Sequence, residues 1–319
     1  MDEAFYRSYF EIEGRHWWFL GRRRLFLRLI EDRLGARRPI DMLDFGCGTG
    51  AFLQHLERFG AVSAVDSDAS AVAFCHTRGR TEVQLVPADA PLPFPDASFD
   101  FATALDVVEH IDDDVAALAE LCRVLRPDGV LLVAVPAFMF LWGKQDEVSH
   151  HKRRYTARTL RAALHHAGFA VERTSYFNTL LFPPIAAVRV GRRLLRRPGS
   201  AESDFDLGPA ALNRVLGAVF GAEAAIVARR GLPFGVSVLA LARPRRRRRS
   251  ARRSASRPSA RCRTASTLRC SRSRRRSASS TASRRCSPAS SRWWRASCST
   301  ASGHSHRARR RSTTRACAT

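Results

Sequence analysis

Lysine is nearly missing from this chain: Lys144 and Lys152 are the only two among 54 basic residues, the rest being arginine. Acidic residues and lysine disappear altogether after residue 243, where 24 arginines stand among Ser, Ala and Pro. Residues 1–243 hold 30 basic against 29 acidic side chains, so the pI near 11.4 belongs to the tail. Residues 244–319 contain too little apolar material to bury a core and are expected to be disordered. As a functional element they would form a polybasic arm for nucleic acid or anionic membranes. Their Arg, Ser, Ala, Pro and Cys, with the stray pair Trp293 and Trp294, instead match a GC-rich gene read out of frame. Nucleic acid enters as a partner only if the tail is genuine.

Metal-binding spacings are lacking too. Neither Cys-x-x-Cys nor His-Glu-x-x-His occurs, so no metal is implied, and the scattered Cys47, Cys75 and Cys122 suggest no disulfide framework. No continuous apolar run reaches the roughly 18 residues of a membrane span. The start, Met1-Asp2-Glu3-Ala4-Phe5, lacks the basic and apolar regions of a secretory signal. A cytoplasmic location is expected.

What is present begins with Asp41-Met42-Leu43-Asp44-Phe45, a buried-strand pattern that runs into Gly46-Cys47-Gly48-Thr49-Gly50. Gly46, Gly48 and Ala51 also satisfy the dinucleotide spacing, and Asp66 stands where a ribose-binding acid is expected. Spacing alone therefore leaves two cofactors open. Asp44 separates them, because a carboxylate beside the glycine turn repels a pyrophosphate and attracts a sulfonium with an α-ammonium. That charge pattern points to S-adenosylmethionine.

Four motifs in order then resemble the class I S-adenosylmethionine-dependent methyltransferases, in particular the small-molecule, type 11-like group, over roughly residues 38–176. They are Asp44 to Gly50, Ala61 to Asp66, Ala88-Asp89-Ala90, and Leu105-Asp106-Val107-Val108-Glu109-His110. The resemblance implies that Asp44, Gly46, Cys47, Gly48 and Gly50 cradle the cofactor. It also implies that Asp66 and Ser67 hold the ribose, that Asp89 and Ala90 meet the adenine, and that Leu105 and Asp106 line cofactor and acceptor.

Helical periodicity separates the strands. Phe52, Leu53, Leu56 and Phe59 predict a helix stopping at Gly60. Asp112, Asp113 and Asp114 open one whose apolar face is Val115, Leu118, Cys122 and Leu125, and Thr156 caps one carrying Leu160, Ala163, Leu164 and Ala167. Pro127-Asp128-Gly129 predicts a turn ahead of a strand over 130–135. The fold class expected is α/β, a doubly wound, Rossmann-like seven-stranded sheet with its ligand at the carboxyl ends of the strands.

Two departures from the minimal fold are expected. Residues 1–37 form a helical cover whose His16, Trp17, Trp18 and Phe19 read first as core packing and second as a wall of the acceptor pocket. Within the domain at 38–243, residues 178–234 form a helical insert between the last two strands, Phe169–Phe177 and Gly235–Ala242. Its Ile185, Val188, Leu194 and Leu195 alternate with Arg189, Arg192, Arg193, Arg196 and Arg197. Such a stretch suits either a lid with a solvated basic face or peripheral membrane contact through 183–197. The piece Val215 to Ala228, which contains Glu223, reads as too short and too polar to cross a bilayer.

Between the fifth strand and the next helix, His150-His151-Lys152-Arg153-Arg154-Tyr155 is an H-x-x-R-Y segment of the kind found in relatives that methylate sugars, polyketides, lipids or quinone precursors. His151 is the leading general base for an acceptor hydroxyl, with His150, His110 and Glu109 as rivals. The reading is methyl transfer to a small sugar, lipid-linked or secondary-metabolite acceptor. An RNA methyltransferase using the tail and a non-catalytic cofactor-binding protein are the alternatives.

Overall fold

A computed structural model of the chain describes residues 3–194 and 209–245. The tail from 246 onward, and Leu195, Arg196 and Arg197 of the insert, lie outside the described residues.

Seven strands form one sheet in the order β3-β2-β1-β4-β5-β7-β6. They are β1 Ile40–Phe45, β2 Gly60–Asp66, β3 Gln84–Leu85, β4 Phe99–Leu105, β5 Leu125–Pro136, β6 Phe169–Phe177 and β7 Ser237–Pro244. The first five pair in parallel; β7 runs antiparallel to both β5 and β6. β1 and β4, side by side at the centre, are buried along nearly their whole length because helices cover both faces. The strand order reverses beside β1, so the carboxyl ends of β1, β2 and β4 open a crevice there. This is the α/β, Rossmann-like sheet expected from the sequence.

One face packs against α5 Asp114–Val124 and α7 Ala157–His166. Asp113 caps α5, accepting from the Ala116 N–H at 2.9 Å, and Thr156 caps α7. The buried face of α5 is Ala117, Leu118, Leu121 and Val124, a quarter-turn away from the stripe expected from Val115 and Cys122. Pro127-Asp128-Gly129 does not precede β5 but bulges within it: Leu125 pairs Phe99 while Val130 pairs Phe101, leaving four residues opposite one. The helix after the glycine turn, α3 Leu53–Leu56, is a single turn, and Gly60 is the first residue of β2 rather than a helix cap. A Cβ at Gly60 would lie 1.9 Å from the Ile40 carbonyl oxygen, which explains the glycine.

The opposite face is covered by α2 Trp17–Leu34 and α9 Ala210–Arg229. Gly21 lets the two helices close up, since the Phe220 ring occupies the place a Cβ would need. α1 Glu3–Ile12 and α8 Phe182–Leu194 complete the cover and insert. α9 corrects the sequence reading of this segment. It begins at Ala210 rather than Val215, so its 20 residues are long and apolar enough to cross a membrane by length and composition. Its Glu223 is buried and accepts the Leu180 N–H, while Leu212, Val215 and Ile226 are exposed.

Candidate functional site

The crevice is the mouth of a cavity of about 910 Å3. Its floor is the glycine turn. Gly46, Gly48 and Gly50 all have positive φ, and the Val107 side chain fills the place of a Cβ on Gly46, whereas at Gly48 that place is open. Asp66, at the end of β2, accepts the Gly48 N–H at 2.8 Å on one oxygen and the Asp68 N–H at 3.0 Å on the other. It therefore ties the turn to β2, a bond invisible in the sequence. Burial raises its pKa, and these N–H groups oppose the shift. Asp44, buried at the end of β1, accepts the Thr103 hydroxyl at 2.6 Å. Burial pushes its pKa up to about 6, with Thr103 pulling down and Asp66 adding to the rise.

Asp44, Gly46, Cys47, Gly48, Asp66, Ser67, Leu105 and Asp106 all line the cavity. The Cys47 and Cys75 sulfurs lie 3.8 Å apart as free thiols. Gly50 packs behind the wall on Cys75. Asp89 and Ala90 lie off the cavity wall, which is formed there by Val86 and Ala88; Asp89 is exposed in the turn after β3.

The acceptor side is built from the ends of β4 and β5. Asp106 adopts a left-handed backbone, φ 57°, and forms an ion pair with Arg22 of α2. A 3-10 turn, Val108–His110, follows. It brings Glu109 and His110 beside His151, whose ring meets His110 edge to face at 4.6 Å between centroids. His151 Nδ1 lies 2.8 Å from Asp146. Arg154 grips the same carboxylate through Nε at 2.7 Å and Nη2 at 3.0 Å, and the Gly143 N–H adds a bond at 2.8 Å. Burial works against ionised Asp146, but His151 and Arg154 outweigh it and hold its pKa well below the carboxylate range. Tyr155 donates to Asp114 at the start of α5. The H-x-x-R-Y segment is thus a clamp on Asp146 and α5 that leaves the His151 Nε2 uncommitted.

Of the four base candidates, His110, His150 and His151 line the cavity and His150 is exposed. Burial, then His151, pushes His110 down to about 3. Glu109 is wholly buried behind the wall, and neither of its oxygens finds a hydrogen-bond partner in another residue. Burial first, then Asp106, raises its pKa well above the usual value.

The cover closes the cavity. Trp17, Trp18 and Phe19 line it while Trp17 and Trp18 pack on Phe220, so the cluster is packing and cavity wall at once. Glu13 joins Thr49 of the glycine turn to Arg78, and Tyr6 is buried beside Asp66. Leu181, Pro184, Ile185 and Val188 of the insert form an apolar vault. Asn178, wholly buried, shares this wall, and its amide has no partner. Asp146, Asn178, Arg22 and Glu13 were not singled out by the sequence; only long-range contact gives them a role.

Residues 43–133 match a family model described as a methyltransferase domain. A probable S-adenosylmethionine-dependent methyltransferase of Mycobacterium tuberculosis is 35% identical over 164 residues, which are 50% of this chain and 58% of that one. The demethylmenaquinone methyltransferase of Beutenbergia cavernae is 39% identical over 117 residues, 36% of this chain and 48% of the relative. A malonyl-[acyl-carrier protein] O-methyltransferase of Serratia marcescens is 31% identical over 160 residues, 48% and 62% of the two chains. The chain thus spans little more than half the length of the curated relatives it matches. The matched region holds the glycine turn and the buried Asp66 at the end of β2, and it is similar to methyltransferase domains of the S-adenosylmethionine-dependent kind.

Proposed function

We propose that this protein transfers a methyl group from S-adenosylmethionine to an oxygen of a small, largely apolar acceptor. The observation that carries the reading is one continuous cavity joining the cofactor residues to the vault of α2 and α8 through the His110–His151 wall. The cofactor fits the residues present. A carboxylate offers about four lone-pair positions, and Asp66 uses two on backbone N–H groups, leaving two for a pair of ribose hydroxyls. The open side of Gly48 admits the ligand against the backbone. Asp44 supplies the negative charge that a cationic methionine portion needs.

When bound, the cofactor supplies an electrophilic methyl group on a sulfonium that is already a good leaving group. The protein's work is therefore mostly positioning, for which model reactions allow about 7 to 11 kcal/mol. Trp17, Trp18, Leu181 and Ile185 exclude water and hold the apolar part of the acceptor. Asn178 offers an unmet donor and acceptor to a polar group on it, and the Asp146–His151 pair stands where the reacting hydroxyl gives up its proton. The relatives that act on demethylmenaquinone and on malonyl-[acyl-carrier protein] support an acceptor with an apolar or extended portion.

Peripheral membrane contact belongs to the same proposal, at a cytoplasmic surface. Leu180, Val188, Leu212 and Val215 are exposed on the insert. Flotation with anionic and neutral vesicles tests it; recovery with the anionic vesicles is expected, and no recovery with either would end it. The core proposal is tested by calorimetric titration of the protein with S-adenosylhomocysteine and, in parallel, with NAD. Binding of the first alone, followed by label transfer from methyl-labelled cofactor to a hydroxylated apolar acceptor, is the expected result. Binding of NAD alone would overturn the reading.

A further inference from the structure

We propose that Glu109, His110 and His151 form a site for a divalent transition-metal ion in the wall between cofactor and acceptor. Their ligand atoms lie within 4.8 Å of one another, and they are the one such group of three donors among the described residues. Nitrogen and oxygen donors about 2.0–2.2 Å from an ion stand roughly 3 to 4 Å apart, so small side-chain rotations close the set. Linear spacing hid the cluster, because residues 109 and 110 follow β4 whereas 151 follows β5.

Three independent features mark the group as a ligand set rather than a chance meeting. Glu109 is fully buried with both oxygens lacking a partner in another residue, an arrangement that costs stability unless a cation completes it. Both histidines have one ring nitrogen engaged from behind, His151 by the Asp146 carboxylate at 2.8 Å and His110 by the Ser149 backbone. Metal-binding histidines are oriented in this way, with the second nitrogen left bare for the ion. Finally, His110 and His151 face the cavity, so the fourth position opens toward the acceptor. Two imidazoles and one carboxylate with an open position suit a borderline ion such as Zn2+, Co2+ or Fe2+ better than Mg2+ or Ca2+.

The inference deepens the methyl-transfer reading, on which its catalytic part rests, and changes the role of His151 from proton acceptor to ligand. An ion here draws charge from an acceptor hydroxyl and lowers its pKa. The O–H bond breaks and its proton passes to water. The oxygen's electron pair then forms the bond to the methyl carbon, and the carbon–sulfur bond breaks with its pair remaining on sulfur. The acceptors favoured are those with two neighbouring oxygens, which can chelate the ion and fix the reacting one.

The test is titration of metal-stripped full-length protein with Co2+, read by visible absorption and calorimetry, with S-adenosylhomocysteine titrated into the same samples. One equivalent should bind and give ligand-field bands, and Glu109→Gln and His110→Gln should each weaken Co2+ by at least tenfold with S-adenosylhomocysteine affinity retained. Retained affinity certifies the fold of each variant; if Glu109→Gln fails it, His110→Gln and His151→Gln decide. Absence of the bands in a protein that binds S-adenosylhomocysteine overturns the metal site and leaves the methyltransferase reading standing. Co2+ bound equally by wild type and both variants places the ion elsewhere and also overturns it. Co2+ binding without S-adenosylhomocysteine binding supports the site and defeats the cofactor reading instead.

Discussion

The two halves of the cavity are made in different ways. At the ends of β1 and β2 the cofactor half uses residues close in sequence, with Asp66 holding Gly48 and Asp68 within a single βαβ unit. At the ends of β4 and β5 the other half gathers α2, the 3-10 turn after β4, the 139–155 segment and the insert. Its central bonds join residues far apart, such as Arg22 to Asp106 and Asn213 Oδ1 to the Trp17 N–H at 2.8 Å. A shared cofactor needs one fixed mould, whereas an acceptor pocket can be recut by changing covers while the sheet remains.

If the halves are as separable as this, substitutions in each should move different measurements. The largest effect is expected at His151: His151→Ala should lower turnover by about 10²- to 10⁴-fold while the S-adenosylhomocysteine Kd stays put. A fully active variant would dissolve the acceptor assignment. Asp146→Asn leaves the buried Arg154 without its counter-charge and should cost on the order of 3–5 kcal/mol in urea unfolding. Because the folded pKa of Asp146 is depressed, its contribution is present above the ordinary carboxylate range and is lost as pH falls through the depressed value. Wild type and variant should therefore converge in stability only in strong acid.

Asp66→Ala should weaken S-adenosylhomocysteine by about 100-fold, since charge-assisted hydrogen bonds contribute roughly 1.5–3 kcal/mol each. Turnover at saturating cofactor should suffer much less, and a collapse of both would show the halves to be one unit. Asp44 sharpens the comparison from the other direction. Its folded pKa of about 6 lies above the unfolded value, so stability is full below about pH 4 and declines as pH rises through 6. Asp44→Asn should make the free protein more stable at pH 8 yet bind S-adenosylmethionine more weakly. The smallest effect is at Thr103: Thr103→Val removes one hydrogen bond to Asp44 and should change stability by about 1 kcal/mol.

Legibility in the sequence followed the same division. The glycine turn, Asp66, the α7 cap at Thr156 and β6 could be read because strands, caps and turns are local patterns. The start of α9 at Ala210 could not, because Asn213 and Arg214 interrupt the apolar run ahead of Val215, and only the fold ties Asn213 to the Trp17 N–H. The bulge at Pro127-Asp128-Gly129 was read as a turn because turn residues signal a bend without saying whether the sheet continues through it. Asp146 was one acid among several in its segment, and only the fold shows His151, Arg154 and Gly143 converging on it. Asp89 and Ala90 rested on the family resemblance alone, and the wall there is made instead by their neighbours Val86 and Ala88.

Glu13, just past the end of α1, grips Thr49 and Arg78, and Tyr6 of α1 is buried beside Asp66, so the amino-terminal arm bears directly on the glycine turn. The turn is thus held from two sides, by Asp66 within the sheet and by Glu13 from the arm that precedes it.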